Sequence, residues 1–400
     1  MTTKIDIDKN KKLQVKNYID VFTPNVTGGV NSILQNLFKY KSQNTYINYI
    51  VYSGLSDKRI KINTVPDNVV INKYYYDEYS NKFKIWKKLS KCVSKNSYII
   101  ATDSIELEMI VKFKIKNNLI FIVMGDFEHY YSLVDKYKSI IDKFICISIE
   151  IHNNLKCLLP DRLEDLVQIY FPTSDINYQI SNYEKNKILN LIYVARLETS
   201  KNPLLLPLID DILVNNSVNV NWTIVGDGVL KSDFLLLIKN KFNFKFLGFL
   251  NNEDILKLYL QNDIFINTSF CEGLPVTLIE ALKSGLIPIV SDISGGIKEV
   301  VNNTINGFIC NNSKPEDFAN KIIELSKDSA LLNKMKTKIL DNTVVNLNSK
   351  YLSNLYYEEI FKTQNNSKDF NINGIGSKLD KCYLPNFLVQ NIRKIKFNIC

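Results

Sequence analysis

The chain has 400 residues, of which 50 are Lys or Arg and 41 are Asp or Glu, so its formal net charge is +9. Apolar residues make up 46% of the sequence, which excludes wholesale disorder and collagen-like structure. At this length the composition predicts two domains of ordinary size. Arginine, the cation that nucleic-acid recognition favours, is scarce, and acidic and basic residues are interleaved. These features argue against a dedicated nucleic-acid binder.

The cysteine and histidine content limits which metal and redox sites the chain can form. The seven cysteines form no Cys-x-x-Cys pair, and the two histidines are His129 and His152. A His-rich metal site therefore cannot be built, and we expect reduced thiols, no metal and no other resident cofactor.

The sequence carries no obvious membrane-targeting segment. The first residues, MTTKIDIDKNKK, lack an apolar signal core. No apolar stretch approaches the roughly 18 residues of a membrane-spanning helix. We expect a cytoplasmic protein, with peripheral contact at the inner face of the membrane as the alternative.

Short β-branched runs alternate with helical patterns in the first half of the chain. Alternation of apolar strands with helices predicts a parallel sheet covered by helices on both faces. The predicted strands are Val15–Phe22, Tyr46–Tyr52, Val69–Ile71, Tyr98–Ala101, Leu119–Val123, Phe144–Ile147 and Val167–Tyr170, and the helices between them include Val30–Tyr40, Ser104–Lys116 and Glu150–Leu158.

The alternation then pauses and restarts. Residues Pro172–Lys187 are polar and lack periodicity, which predicts a linker. The pattern resumes with strands predicted at Ile188–Ala195, Val220–Val225, Lys245–Leu247, Ile264–Asn267, Ile287–Val290 and Phe308–Cys310, and later helices at Ser329–Leu340 and Ser349–Lys362.

These elements predict an α/β protein with two Rossmann-like, doubly wound parallel-sheet domains and an interdomain cleft. We predict the first domain over 1–172, a linker over 173–187, the second domain over 188–345, and a C-terminal helix and basic tail over 346–400. Open parallel sheets bind ligands beyond the carboxyl ends of their strands. Functional residues should therefore lie on strand-to-helix loops.

The most informative segment is SFCEGLPVTLIEAL, Ser269–Leu282, between a predicted strand and a predicted helix. Gly273 lets the backbone approach a ligand closely. The amides around Leu274, Pro275 and Val276 would point, with the helix dipole, at an anion such as a diphosphate. Two carboxylates, Glu272 on the loop and Glu280 inside the helix, complete the pattern, and a carboxylate suits recognition of a ribose diol.

This segment matches the E-x7-E motif of retaining GT-B-fold glycosyltransferases, and the sequence resembles glycosyltransferase family 4, the glycosyl transferases group 1. The resemblance covers residues 13–362 and is most specific over 188–325. Further matching segments, in the order of the family, are YVARLETSKN (Tyr193–Asn202), VGDG (Val225–Gly228), FLGFL (Phe246–Leu250) and SDISGGIKEVV with NGFIC (Ser291–Cys310).

The resemblance implies residue roles. Arg196 and Lys201 would neutralise the diphosphate of a nucleotide-sugar donor, replacing a metal. Glu280 would hold the ribose, and Glu272 would contact the transferred sugar or stabilise positive charge near its anomeric carbon. Gly226 and Phe249 would line the nucleotide pocket.

In the first half, Gly28 and Gly29 follow the first predicted strand and precede a helix. Two interpretations are open. The pair forms a plain tight turn, or it forms an amide-rich anion site like the glycine loop of the resembled family, near the donor phosphate and the acceptor.

The sequence departs from the family where a histidine commonly follows the strand at Leu119–Val123. Here Met124 or Gly125 takes that place, within MGDFEHYY. One interpretation assigns the contact with the transferred sugar to Asp126 or His129 instead. The other makes His129 an ordinary, partly buried histidine.

The segment Lys82–Val93, KFKIWKKLSKCV, has apolar residues on one face and Lys84, Lys87, Lys88 and Lys91 on the other. An ordinary helix that packs its apolar face on the sheet is the favoured interpretation. Contact with an anionic membrane is the alternative. The Tyr-rich stretch Tyr74–Tyr79 just before it lines the acceptor side or forms a surface loop.

The resemblance implies a retaining, metal-independent glycosyltransferase. The second domain would bind the nucleotide-sugar donor, with a UDP-sugar favoured, and the first domain a saccharide or lipid-linked acceptor, in surface polysaccharide biosynthesis. Two alternatives are a catalytically weak binding or regulatory subunit of a glycosyltransferase complex and a nucleotide-sugar epimerase of the same fold. Nucleic acid is not an expected partner.

Overall fold

The computed structural model of the protein describes residues 17–24, 29–54, 65–174, 176, 188–340 and 347–399. Gly28 lies outside these residues, as does the predicted linker apart from residues 173, 174 and 176. Within the described ranges, no helix is both long and apolar enough to cross a membrane.

The first sheet is built from β1 (Asn17–Pro24), β2 (Thr45–Gly54), β3 (Val69–Tyr76), β4 (Tyr98–Ala101), β5 (Asn118–Val123), β6 (Lys143–Cys146) and β7 (Leu166–Gln168). Their order across the sheet is β3-β2-β1-β4-β5-β6-β7. The pairs from β3 through β5 are parallel. Chain order reverses at β1, so the topological switch point lies between β1 and β4.

The second sheet is built from β8 (Leu189–Val194), β9 (Val220–Val225), β10 (Phe244–Gly248), β11 (Ile264–Asn267), β12 (Ile287–Ser291) and β13 (Phe308–Cys310). Their order is β10-β9-β8-β11-β12-β13, and every neighbouring pair is parallel. The apolar run of β11 is buried at all four positions, as expected for a central parallel strand covered on both faces.

Helices connect the strands of both sheets. In the first half they are α1 (Gly29–Lys39), α2 (Lys82–Ser90), α3 (Ser104–Phe113), α4 (Glu128–Tyr137) and α5 (Ile149–Leu158). They continue as α6 (Leu205–Asn215), α7 (Lys231–Leu237), α8 (Asn252–Tyr259), α9 (Val276–Lys283), α10 (Ile297–Val300), α11 (Pro315–Lys327), α12 (Ser329–Lys338), α13 (Ser349–Lys362) and α14 (Asn386–Ile399).

The predicted elements are confirmed, with most ends shifted by one or two residues. The largest difference is at β3, which continues from the predicted Val69–Ile71 to Tyr76 because its last residues pair with the end of β2. Those residues alternate between partly buried and exposed positions, as befits the outer strand of a sheet.

The chain divides into two compact units. The first contains the described residues up to Val123, His129–Ile145, and the described residues from Asn354 onward. The second contains Met124–Glu128 and the described part of Cys146–Ser353. The first unit is therefore assembled from both ends of the chain.

The C-terminal segment is an integral part of the first unit. The Tyr357 hydroxyl donates to the Leu37 carbonyl at 2.9 Å, and the Tyr98 and Phe361 rings meet edge-on. Further along, the Lys368 ammonium pairs with the buried Asp142 carboxylate. The tail that appears in the sequence as polar and basic is thus held by specific contacts.

Asp380 is the main anchor of this tail. Its carboxylate accepts the Lys82 amide at 2.6 Å and the Ser377 amide at 2.8 Å, and Arg393 Nη2 donates to both of its oxygens at 2.8 and 2.9 Å. Burial alone would raise the pKa of Asp380, but the hydrogen bonds from Ser377, Lys82 and Arg393 bring it below its ordinary value. The ionised form is therefore the one that joins tail and α2.

Replacement of Asp380 by Ala should lower the free energy of unfolding by roughly 3 kcal/mol at neutral pH, because it leaves buried donors and Arg393 without their acceptor. The exposed pair of Asp135 with Lys138 is the matched control, and Asp135→Ala should cost less than about 0.5 kcal/mol. Urea unfolding followed by circular dichroism measures both. Because the pKa of Asp380 is lowered, the deficit should shrink as the pH falls through that pKa; equal deficits in the two variants at neutral pH would contradict the assignment.

Candidate functional site

The candidate site lies at the carboxyl edge of the second sheet. Since its strands are all parallel, the loops that follow them emerge at one edge, carrying Arg196 after β8, Gly226 after β9, Phe249 after β10 and Glu272 after β11. Chain order reverses at β8, which has β9 on one side and β11 on the other. Arg196 and Glu272 therefore follow the two strands at the topological switch point, where open parallel sheets bind their ligands.

Glu272 is held by two groups. The Lys201 ammonium lies 2.7 Å from its Oε1, and the Ser269 hydroxyl donates to the same oxygen at 2.7 Å. Both charged side chains are mostly buried, so the pair is shielded from water. The backbone adds a further tie, because the Phe270 amide donates to the Ser200 carbonyl at 2.9 Å. The loops after β8 and β11 are thus joined at the predicted site.

Arg196 is an accessible cation at this edge. Its guanidinium lies 2.9 Å from Glu198 Oε1, and its side chain is 54% exposed. The Ser200 hydroxyl also donates to Glu198 Oε1 at 2.9 Å. A surface ion pair of this kind is weak and exchangeable, so Arg196 can turn toward an incoming anion at small cost.

The loop before α9 brings an uncapped helix start to the same edge. Gly273, Leu274 and Pro275 are buried, and Val276 is the first helical residue. Pro275 occupies the N-cap, and no side chain caps this helix. The first turn also contains no acidic residue. The positive end of the α9 dipole is therefore not neutralised by a carboxylate in the first turn of the helix.

Glu280 lies inside α9 and is only 3% exposed. The Asn252 side-chain amide, at the start of α8, donates to its Oε1 at 3.0 Å. Burial raises the pKa of Glu280 to about 7, against the opposing effects of Asn252 and the nearby Lys283 ammonium. Glu280 is therefore not a surface residue. A buried carboxyl with a strongly raised pKa is a common mark of a functional position.

Three glycines let the loops of this edge pack backbone against backbone. A Cβ at Gly226, where φ is +146°, would lie 1.9 Å from the Ala195 carbonyl oxygen. One at Gly295, where φ is +100°, would lie 2.3 Å from the Glu272 carbonyl oxygen. One at Gly273 would lie 2.9 Å from the Gly125 Cα. The role of Gly295 was not predicted, although the SGG stretch that contains it was an available signal.

Asp126 belongs to this unit and lies beside the Glu272 loop. Its backbone nitrogen is 3.3 Å from the position that a Cβ would take at Gly273. The Asn154 side-chain amide is 3.3 Å from its Oδ1. Of the two residues predicted to replace the missing histidine, Asp126 is thus placed against the candidate site.

His129 belongs to the first unit, where it is exposed and lies beside Asp103. Its Nε2 is 3.3 Å from Asp103 Oδ1. The interpretation of a partly buried histidine does not hold.

Beside this pair is a group that the sequence did not predict. Glu106 is fully buried, accepts the amides of Thr102 and Asp103 at 2.7 Å each, and receives the Tyr52 hydroxyl. Burial, and then the charge of Asp103, raise the pKa of Glu106 to about 8. The D-x-x-E spacing at the start of α3 forms a capping box and was the signal that could have located it.

The remaining predicted residues are placed as follows. Gly29 is the first residue of α1, after β1 in the first sheet. Phe249 follows β10 and is 57% exposed, so its ring is accessible to a ligand. Among the described residues, no group of three or more His, Cys, Asp or Glu side chains could hold a metal ion.

The Tyr-rich stretch begins within strand β3. Tyr74, Tyr75 and Tyr76 of β3 line a groove of about 330 Å³ in the first unit, closed on the other side by α2 and by Asn386 and Gln390 of α14.

Two Rossmann-like parallel-sheet units, with candidate residues on the loops at the carboxyl edge, define the GT-B fold. Sucrose-phosphate synthase from Thermosynechococcus elongatus superposes with a TM-score of 0.70 at 12% identity, covering 87% of this chain and 100% of that one. HepE of Anabaena in complex with UDP and glucose has a TM-score of 0.64 at 15% identity, covering 86% and 99%. At these identities the likeness establishes the fold.

Sequence comparison places the similarity in the second unit. Residues 175–340 match the profile of the family described as glycosyl transferases group 1. An Escherichia coli protein named UDP-Gal:alpha-D-GlcNAc-diphosphoundecaprenol alpha-1,3-galactosyltransferase is 30% identical over 181 residues, 43% of this chain and 44% of that protein. A Campylobacter jejuni N-acetylgalactosaminyltransferase, named for a PP-undecaprenol-linked substrate, is 26% identical over 178 residues, 43% and 48%. The chain thus spans less than half the length of each of these two curated relatives. The chain thus has the GT-B fold, and the match to the glycosyl transferases group 1 profile is confined to residues 175–340.

Glu280 should make folding stability depend on pH. Its pKa is raised on folding to about 7, so the wild-type chain loses stability as the pH rises from about 4.5, where the unfolded carboxyl ionises, through 7. Glu280→Gln removes this titration. The free energy of unfolding of the variant, relative to wild type, should rise by up to about 3 kcal/mol between pH 5 and pH 8. Urea unfolding at the two pH values checks this, and a constant difference would contradict the burial of an ionisable Glu280.

Gly226 should be intolerant of any side chain. In Gly226→Ala the new methyl group meets the Ala195 carbonyl, and the free energy of unfolding should fall by roughly 3 kcal/mol or more. Gly248→Ala is the matched control, because Gly248 also has a positive φ, +69°, but a Cβ there meets no atom within 4 Å. It should cost only the left-handed backbone penalty of about 1 kcal/mol. Thermal and urea unfolding compare the two, and equal losses would contradict the backbone contact.

Proposed function

We propose that the protein is a retaining, metal-independent glycosyltransferase that moves a sugar from a nucleotide-sugar, with UDP as the favoured nucleotide, to a saccharide or lipid-linked acceptor. One observation carries the proposal. An exposed and weakly paired cation, a shielded Lys–Glu pair, an uncapped helix start and a buried carboxyl lie at the carboxyl edge of the second sheet, within the residues that match the family profile.

The donor diphosphate would be held by charge and by backbone amides. Arg196 would exchange Glu198 for a phosphate oxygen, and the start of α9 would supply amides along the helix dipole. Lys201 is already paired with Glu272, so it would share its hydrogen bonds between Glu272 and the phosphate. Fixed cations that meet the developing charge of a departing nucleoside diphosphate lower the barrier without a metal.

The two carboxylates would serve different parts of the donor. Glu280, buried on the helix, would accept the two hydroxyl hydrogens of the ribose, and diol binding would favour its ionised form over the neutral one. Glu272, oriented by Lys201 and Ser269, would face the transferred sugar. Asp126, beside the Glu272 loop, would take the role of the histidine that this chain lacks.

The comparisons support the substrate classes. The Escherichia coli relative is named for a UDP-galactose donor and a diphosphoundecaprenol-linked acceptor, and HepE was solved with UDP and glucose. A cytoplasmic role in surface polysaccharide biosynthesis agrees with these names and remains part of the proposal.

Turnover of UDP-sugars by the purified full chain tests the proposal. Arg196→Ala should lower kcat/KM by about 100-fold, because removal of a charged transition-state contact costs about 3 kcal/mol. Arg162→Ala is the matched control, since Arg162 pairs with Asp165 elsewhere in the same unit; it should leave kcat/KM unchanged. Glu280→Gln should chiefly weaken donor binding, seen as a rise in KM.

Each outcome has a clear meaning. Wild-type activity that survives both Arg196→Ala and Glu280→Gln would overturn the site. Binding of a UDP-sugar without transfer or hydrolysis would favour the alternative of a catalytically weak binding subunit, and interconversion of the free sugar nucleotide would favour an epimerase. Activity that persists in a metal chelator is expected for a metal-independent enzyme.

A further inference from the structure

The C-terminal helix turns an apolar face outward. Large apolar side chains on and just before α14 are between 41% and 74% exposed; they are Tyr383, Phe387, Leu388, Ile392 and Ile395, named here the apolar stripe. Leu388, Ile392 and Ile395 recur at helical spacing and so share one face. Single exposed apolar residues are ordinary, but a cluster on one short segment indicates a covered surface.

The opposite face of α14 is firmly attached to the first unit, so the stripe is presented in a defined orientation. Val389 is buried, and Asn386 Oδ1 accepts the Asn81 amide at 2.8 Å. Arg393 Nη2 donates to both carboxylate oxygens of Asp380 at 2.8 and 2.9 Å. The polar and small contacts face inward while the large apolar residues face out, the reverse of an ordinary surface helix.

Positive charge borders the stripe. From Lys381 to the last described residue the sequence contains no Asp or Glu, and Lys381 and Lys394 are exposed. Helix α2 lies beside this segment, since Lys84 Nζ donates to the Cys382 carbonyl at 3.1 Å and since Lys84 and Lys88 line a groove together with Asn386 and Gln390 of α14. Helix α2 itself buries Trp86 and Leu89, so its apolar face is not available for a membrane. It contributes charge, and α14 contributes apolar area.

We propose that the apolar stripe, together with the α2 lysines, docks the first unit on the surface of an anionic lipid bilayer. An amphipathic helix with aromatic and aliphatic residues on one face and flanking cations lies in the headgroup boundary of such a bilayer. A second copy of this chain fits less well, because a two-fold contact through the stripe would set the same cations against each other. The surface goes beyond the proposed transfer reaction and does not depend on it.

The experiment is co-sedimentation of the full chain with vesicles, without any sugar donor. Wild type should bind vesicles of phosphatidylcholine mixed with phosphatidylglycerol, and at least about tenfold more weakly vesicles of phosphatidylcholine alone. The double variant Phe387→Ser with Ile395→Ser should bind the anionic vesicles about tenfold more weakly than wild type. Leu236→Ser with Phe242→Ser, two exposed apolar residues of the second unit, is the matched control and should bind like wild type.

A second variant tests the charge independently of the helix. Lys87→Glu with Lys91→Glu changes two exposed α2 lysines and should also weaken binding to anionic vesicles by about tenfold, with melting temperature unchanged. Failure of wild type to bind anionic vesicles, or equal binding by wild type and both variants, would overturn the proposal. A change of molecular mass in solution in the serine variant, without vesicle binding by wild type, would assign the stripe to a protein contact and overturn it as well. Transfer to a soluble acceptor is measured separately, so failure of docking and failure of the proposed function are distinct results.

Discussion

Direct contact between backbones at the carboxyl edge of the second sheet is the constraint on which the candidate site depends. The loops after β8 and β9 meet at Gly226, and the loops after β11 and β12 meet at Gly295, at distances that leave no room for a Cβ. Because these contacts are made by the main chain, they fix the loops without using side chains. Arg196, which is exposed and weakly paired, is then available to a ligand, while Lys201 and Glu272 pair with each other between the loops after β8 and β11.

How deeply each charged group at this edge is buried determines how strongly it is paired and in which direction its pKa moves. Arg196 is exposed and weakly paired, Lys201 and Glu272 are shielded and tightly paired, and Glu280 is fully enclosed with a pKa raised to about 7. The solvent exposure of the charged groups thus decreases from Arg196 at the surface to Glu280 inside α9. Such a gradient suits a ligand with a highly charged diphosphate at one end and a neutral diol at the other.

The first unit is organised differently. The unit is completed by residues from the far end of the chain, anchored through Asp142, Asp380 and Tyr357. The same segment forms one wall of the groove lined by the β3 tyrosines and carries the apolar stripe. The surface proposed to meet a bilayer thus lies on helix α14, which a buried ion pair holds in place.

The sequence by itself determined the alternation of strands and helices, the two doubly wound sheets, and the position of Glu272 and Glu280 around a strand-to-helix loop, because apolar periodicity and glycine and proline positions act over a few neighbouring residues. The pairing of Lys201 with Glu272, the burial of Glu106 and Glu280, the placement of His129 beside Asp103, and the docking of the tail on α2 were decided only by the tertiary structure. Some of these features join residues that are distant in sequence, and the others depend on how much water the folded chain excludes. Patterns among neighbouring residues determine neither the long-range contacts nor the burial.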